Sequence, residues 1–410
     1  KKASSAPPLI MPDIARILKA DSPLTLARVA RGAQPLVLAD LARAAKGRAV
    51  FIVPDDTAMH AASEAARYFA PELEVIEFPA WDSLPYDRAS PALSISARRL
   101  AALHRLQAGK PGAQLLVTTA NAVLQRVLTP FRIRESVREF APGMEIGRDS
   151  LSALLQRQGY SRTDTVIDKG EYAIRGSIVD VFPSGMDEAL RLDFFGDELE
   201  SLRSFDPNTQ LTTGRLERHL LLPASEALLD EDSIKRFRTR YREMFGANAT
   251  QDPLYEAVSE GRRLAGMEHW LPLFEDRLTT LFDHLGKGDL LVIDQAALAA
   301  AEERTKDVAD YYEQRKAASG QAKGSYRPLK PDALYLTQDE FETALANAPA
   351  HRATAFDEPG SDTVIDFGFR SGRDFAPERA RGENVYPVLA DHLKAIAKAG
   401  KRPLIAAYSK

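Results

Sequence analysis

A Gly-rich turn feeding a helix holds phosphates when it ends in Lys and Ser or Thr. Backbone N–H groups cradle the oxygens, the ammonium reaches the outer phosphates, and the hydroxyl holds magnesium. Residues 28–42 read RVARGAQPLVLADLA. Gly32 is there, but the lysine and the hydroxyl are not, and Leu36 and Val37 stand in their neighbourhood. The loop at Gly32 and Gln34 is therefore a degenerate one. Residues 290–294, LLVID, have the shape of a strand that brings a carboxylate to magnesium, yet Gln295 follows where a water-positioning Glu belongs. The alternative is a buried strand ending in an exposed Asp294, which without a phosphate loop has no magnesium–phosphate to meet. Gly286-Lys287-Gly288 and Gly400-Lys401 lack both the spacing and the hydroxyl. These residues predict no catalytic residue, no metal and no cofactor in this segment, and binding of a partner rather than turnover.

A different constellation lies in Arg191-Leu192-Asp193-Phe194-Phe195. Side chains alternate faces along a strand, so Leu192 and Phe194 share one face and Arg191, Asp193 and Phe195 the other. An aromatic beside a planar guanidinium on a polar face has the composition of a protein–protein hot spot. Arg175, on a neighbouring strand-like piece, extends the same surface. The competing reading makes Phe195 the cap of a hydrophobic edge and both arginines members of exposed ion pairs of little worth.

Two further groups compete. Trp81 and Tyr86, in the Pro-bounded loop FPAWDSLPYDRASP, could stack on bases. Few basic residues flank them, which favours a loop pinned to a sheet end. Lys235, Arg236, Arg238, Arg240 and Arg242 could follow phosphates, although such a run usually forms a solvated helix face. The seven histidines are scattered, with no two inside five residues, and there is no cysteine. That excludes disulfides, thiolate metal sites and a cysteine nucleophile, and fits a reducing cytoplasm. A net charge of −4 gives no support to a nonspecific nucleic-acid clamp. No apolar stretch is long enough to span a membrane, so a cytoplasmic protein without a membrane partner is expected.

The elements that must position these groups form two textures. RAVFIVPD, LEVIEF and QLLVTT are buried strands separated by helical segments, with helix signals at 92–107 and through Leu124 and Leu128. Alternating strands and helices predict a parallel sheet covered on both faces. Near residue 136 the texture changes. The helix RDSLSALLQRQGY, with Asp149 or Ser150 as N-cap, leads into EYAIRGSIVDVFP, ALRLDFF and ELESLRSFD. Turn signals at Gly185-Met186-Asp187 and Gly196-Asp197 predict an antiparallel α+β module inserted into the first domain. The expected division is 1–135, the insert 136–225, a return to the first domain over 226–365, a charged linker at 366–385, and from 386 a further α/β unit that stops after one helix and the strand PLIAAY. That ending, and a start at Lys1, are what a piece of a longer protein would show.

EFPAWDSLPYDRASPALSISARRLAALHRL, GEYAIRGSIVDVFPSGMDEALRLDFFGDELESLRSFD and AGMEHWLPLF together resemble the N-terminal part of the bacterial transcription-repair coupling factors, from about residue 25 onward. That region is itself similar to the excision-repair protein UvrB. The resemblance implies a fold: a degenerate RecA/helicase-like domain, like domain 1 of UvrB, carrying an inserted domain that binds UvrA. Arg175, Arg191 and Phe195 match the family's UvrA-contacting positions. It further implies that the parent protein is an ATP-driven double-strand DNA translocase that displaces stalled RNA polymerase in transcription-coupled nucleotide excision repair. Its motor, with ATP and Mg2+, and its contacts to polymerase and double-stranded DNA would lie outside this segment. UvrB itself has a complete phosphate loop and a long aromatic hairpin, whereas this chain has RGAQPLVLAD and the short 78–91 loop. The rivals are a UvrB-type damage-verifying ATPase subunit and a direct DNA-binding module using the arginine-rich helix.

Overall fold

The computed structural model describes residues 13–45, 48–107, 113–183, 186–246, 250–318, 326–370 and 372–403. The chain divides into two units, at Gly368 and Phe369, within the stretch read as a linker. In chain order the strands are β1 Thr25–Ala27, β2 Arg48–Val53, β3 Glu74–Phe78, β4 Gln114–Thr119, β5 Arg138–Phe140, β6 Ser161–Arg162, β7 Glu171–Arg175 and β8 Ile178–Val181. They continue as β9 Ala189–Phe195, β10 Glu198–Phe205, β11 Thr212–Leu216, β12 His219–Leu221, β13 Leu290–Asp294, β14 His351–Ala353 and β15 Val364–Asp366.

Seven strands form one parallel sheet in the order β15-β1-β14-β13-β2-β4-β3. Every residue of β2 and β4 is buried, as befits parallel strands covered on both faces. β13 lies beside β2 although well over 200 residues separate them in sequence, so the chain leaves this sheet after β4 and returns to it at β13. The core combines Val50, Ile52 and Leu116 with Leu100 and Leu103 of the helix Leu93–Leu106, the helix expected at 92–107.

The intervening chain builds the second sheet, ordered β11-β10-β9-β8-β7-β6. It is antiparallel except for the two-residue β6–β7 pairing. One face packs Leu190, Leu192 and Phe194 against Leu151 and Leu155 of the helix Arg148–Arg157. That helix has Gly147 at its N-cap with no side-chain capping bond, so neither Asp149 nor Ser150 caps it. Strand β5 pairs with β12, so the chain enters and leaves the insert side by side. The α/β class with an inserted antiparallel α+β module is the observed architecture.

Several expectations need correction. The helix drawn through Leu124 and Leu128 ends at Val123. Beyond it the backbone pairs elsewhere: Arg126 N–H donates to Leu334 O at 2.8 Å, Val127 N–H to Thr279 O at 2.8 Å, and Leu336 N–H to Leu124 O at 2.7 Å. EYAIRGSIVDVFP is two strands rather than one piece, folded at Gly176-Ser177, where Gly176 takes φ +60°. The Gly196-Asp197 turn joins β9 to β10 as expected, whereas Gly185 lies outside the described residues.

The second unit carries a short helix, Ala376–Ala380, inside the stretch read as a linker, and then the helix Val385–Lys398. Asn384 caps the latter by accepting from Tyr386 N–H at 3.1 Å. Most of PLIAAY lies outside the described residues. No helix among the described residues is long and apolar enough to cross a membrane.

Candidate partner-binding surface

The outer face of the second sheet carries the site. Register places Arg191 opposite Asp180, and Asp180 opposite Ala173, while Arg175 lies two residues along β7 on the same face. Alternation delivers the expected sides: Leu192 and Phe194 are buried, and Phe195 projects with 79% of its surface exposed. A phenylalanine at the end of a hairpin, next to Gly196, has no core to enter. Phe131 and Phe356 are similarly exposed elsewhere in the chain, so what distinguishes Phe195 is its place on a face that also carries arginines, the composition of an interface anchor.

Both arginines are ion-paired, as the competing reading has it, but to a buried carboxylate rather than an exposed one. Asp180 is fully buried and accepts from Arg191 Nε at 2.7 Å, from Arg191 Nη2 at 2.9 Å and from Arg175 Nη2 at 2.5 Å. One carboxylate thus holds both guanidinium groups. Its hydrogen bonds, opposed by partial burial, raise the Arg191 pKa further above its already high ordinary value, so Arg191 stays charged at any working pH. The Arg191 guanidinium also lies 4.5 Å from the centre of the Phe205 ring. Phe205, Ala189, Ala173, Val166 and Phe182 make a small apolar cluster under this end of the face. Stacking and bidentate pairing together fix Arg191, whose side chain is 16% exposed, while Arg175 keeps 48% of its side chain in solvent.

Asp193 is held separately, accepting from Arg203 Nη2 at 2.9 Å and from Ser177 Oγ at 3.3 Å. Gln210, held at a left-handed φ of +59°, donates to Val166 O at 3.1 Å and Pro207 O at 2.7 Å. Sequence reasoning missed Asp180, Arg203 and Gln210. The Gly-Ser dipeptide at 176–177 was the available signal, because a turn there brings Asp180 across from Arg191.

The degenerate loop has its own geometry. Gln34 opens the helix Gln34–Ala45, and its Nε2 donates to Asp294 Oδ2 at 2.7 Å. Asp294 Oδ1 accepts from Ala296 N–H at 2.8 Å. Asp294 is therefore buried, not the exposed strand end of the simpler reading. A glutamine amide occupies the carboxylate that a motor would turn toward magnesium, and Gly32 borders open space, so no close approach of the chain requires a glycine there.

Trp81 and Tyr86 are both buried, so they pin the loop rather than offer a stacking platform. Trp81 Nε1 donates to Glu226 Oε1 at 2.7 Å, and Arg99 Nε donates to the same oxygen at 2.6 Å. Arg99 lies 4.4 Å from the Phe78 ring centre. Glu226, where the chain leaves the insert, is thereby tied to the first sheet. Gly266, at φ +79°, lets this loop approach: a Cβ there would sit 2.8 Å from the Arg88 carbonyl carbon. The arginine-rich helix Glu231–Phe245 spends two of its cations internally. Arg236 Nε donates to Phe274 O at 2.8 Å, Arg240 Nη1 donates to Pro272 O at 3.1 Å, and Lys235, Arg238 and Arg242 remain exposed. Among the described residues no group of three or more His, Cys, Asp or Glu is placed to hold a metal.

The UvrB interaction domain family matches residues 139–226, which contain the whole of this surface. A transcription-repair-coupling factor of Haemophilus influenzae is 35% identical over 303 residues, covering 73% of this chain and 26% of that protein. One of Escherichia coli is 33% identical over 333 residues, covering 80% and 28%. One of Myxococcus xanthus is 37% identical over 222 residues, covering 52% and 18%. The chain spans about a quarter of the length of the first two relatives. Over 73% and 80% of its length the chain is similar to the first two of these coupling factors, and across the strands bearing Arg175, Arg191 and Phe195 it matches the UvrB interaction domain.

Proposed function

We propose that this segment recruits UvrA by presenting a UvrB-like face, and that it serves transcription-coupled nucleotide excision repair within a longer coupling factor. The observation that carries the reading is Phe195, 79% exposed, on the face that also carries two arginines held in place by the buried Asp180, inside the region that matches the UvrB interaction domain. Phe195 supplies the apolar anchor, desolvated when the partner closes over it; truncating such an anchor costs on the order of 2 kcal/mol or more. Arg175, half exposed, supplies the outward charge for a carboxylate on UvrA. Arg191 acts mainly by holding its place, with its remaining N–H groups available at the interface.

On this reading the first domain is a scaffold. The Gln34–Asp294 hydrogen bond uses the groups that would meet a nucleotide, and the segment turns over no ATP. ATP, Mg2+, double-stranded DNA and RNA polymerase belong to the parent protein's other domains, and the parent acts as an ATP-dependent translocase in the cytoplasm. The test is calorimetric titration of purified UvrA into this chain beside Phe195→Ala and Arg175→Ala. Binding that both variants weaken, with unfolding midpoints unchanged, supports the reading. Equal affinity for all three chains refutes it.

A further inference from the structure

The register of the second sheet aligns three arginines directly across three strands: Arg191 on β9 faces Arg203 on β10, and Arg203 faces Arg215 on β11. Neighbouring strands lie about 4.8 Å apart, so the row runs about 10 Å from Arg191 to the edge of the sheet. Like charges directly opposite one another destabilise a sheet. Two members are compensated, Arg191 by Asp180 and Arg203 by Asp193. Arg215 is exposed and, among the described residues, has no ion-pair partner; the buried Nε of Arg203 also lacks an acceptor. A single charge on an edge strand would suffice to deter edge pairing. That role does not call for a second arginine on β10 and a third on β9.

We infer that Arg203 and Arg215 continue the docking surface to the β11 edge, where they receive an acidic segment of the same protein partner that covers Phe195. This rests on the UvrA-recruiting reading and extends it to residues outside the three already assigned. Charge complementarity sets the chemistry: the two register rows through Arg191 and Asp193 carry Arg175, Arg191, Arg203 and Arg215 against Asp180 and Asp193, a local surplus of cations bordered by Glu171 on β7 and by Glu198 opposite Phe195. A protein is favoured over a polyanion because large apolar groups lie on the same module, around the row. Phe195 ends β9, while Ile167 and Leu211, 55% and 68% exposed, adjoin Val166 and Gln210, which are joined by a hydrogen bond next to Arg191. The arrangement is an apolar anchor with a charged rim, and rim charges act on association rate and salt dependence.

The experiment measures association and dissociation of purified UvrA on immobilised wild-type chain, Arg215→Ala, Arg215→Glu and Phe195→Ala at low and moderate salt. Arg238→Glu, on an exposed helix face, is the control for general charge, and binding of a double-stranded DNA oligomer is followed in parallel. The expected result is affinity about tenfold weaker for Arg215→Glu and a few-fold weaker for Arg215→Ala. The loss should lie mostly in the association rate, with a shallower salt dependence and no change for Arg238→Glu. Unchanged UvrA binding by Arg215→Glu, with Phe195→Ala weakened, overturns the inference and leaves the recruiting function standing. Loss of DNA binding by Arg215→Glu with UvrA affinity intact assigns the row to nucleic acid and likewise overturns it. A wild-type chain that does not bind UvrA removes the recruiting function itself, and this inference with it.

Discussion

Replacing Asp180 by Asn separates two ways in which the arginines could act. The substitution keeps shape and one acceptor oxygen but removes the charge that receives Arg191 at 2.7 and 2.9 Å and Arg175 at 2.5 Å. Charge-assisted hydrogen bonds contribute about 1.5–3 kcal/mol each when buried. The Arg191 pair qualifies, because Asp180 is fully buried and only 16% of the Arg191 side chain is exposed. The Arg175 bond is half in solvent and is discounted to about 0.5 kcal/mol. With one acceptor retained, the expected loss of folding stability is about 2–3 kcal/mol, read from urea midpoints.

Binding is the sharper readout. If the arginines work as preorganised donors, freeing them adds about 0.5–1.5 kcal/mol of ordering cost per side chain. Two side chains then weaken UvrA by about tenfold, with a less favourable entropy in calorimetry. If they work as free charges, the lost aspartate adds a unit of positive charge to the face, and an acidic partner binds as well or better. Unchanged or tighter binding by a folded Asp180→Asn chain would refute the preorganised triad.

Three other outcomes are expected. His269 is buried between Trp81 and Tyr86 with neither ring nitrogen hydrogen-bonded, and burial pushes its pKa down to about 4. A base depressed in the folded state withholds a proton that the unfolded chain takes up, so stability falls as pH drops from about 6.5 toward 4. His269→Phe should therefore gain about 2 kcal/mol more at pH 5 than at pH 8, measured by urea unfolding. Gln34→Ala strips Asp294 of its side-chain donor and should destabilise by about 1–3 kcal/mol. ATP with Mg2+ should raise the melting temperature of neither chain; a rise in the wild type would contradict the scaffold role of the first domain.

What was legible in the sequence follows the length and burial of each element. β2, β4 and β13 are strands of five or six residues, each built on a run of three to five apolar residues at the centre of a parallel sheet, and each reads as a strand without further context. The three-residue strands β1, β14 and β15 carry no period and form only because the sheet edge offers them partners. The helix beyond Val123 failed for a tertiary reason: residues 124–127 find backbone partners at 279 and 334–336, which outweigh local helical preference. In the candidate site, alternation along β9 was enough to expose Phe195 and turn Arg191 outward. It could not show that Arg191 and Arg175 share one carboxylate, since that depends on a turn at Gly176-Ser177 setting the register of β8 against β9. The burial of Asp294 was hidden for a similar reason, because its partner Gln34 is 260 residues away.

On the proposed function, this chain offers UvrA the face that UvrB offers. Labelled UvrB bound to UvrA, titrated with increasing amounts of this chain, tests it most directly. The chain should displace UvrB completely, and Phe195→Ala should do so only at concentrations at least about tenfold higher. A ternary complex, in which UvrA holds both proteins with undiminished affinity, would contradict it.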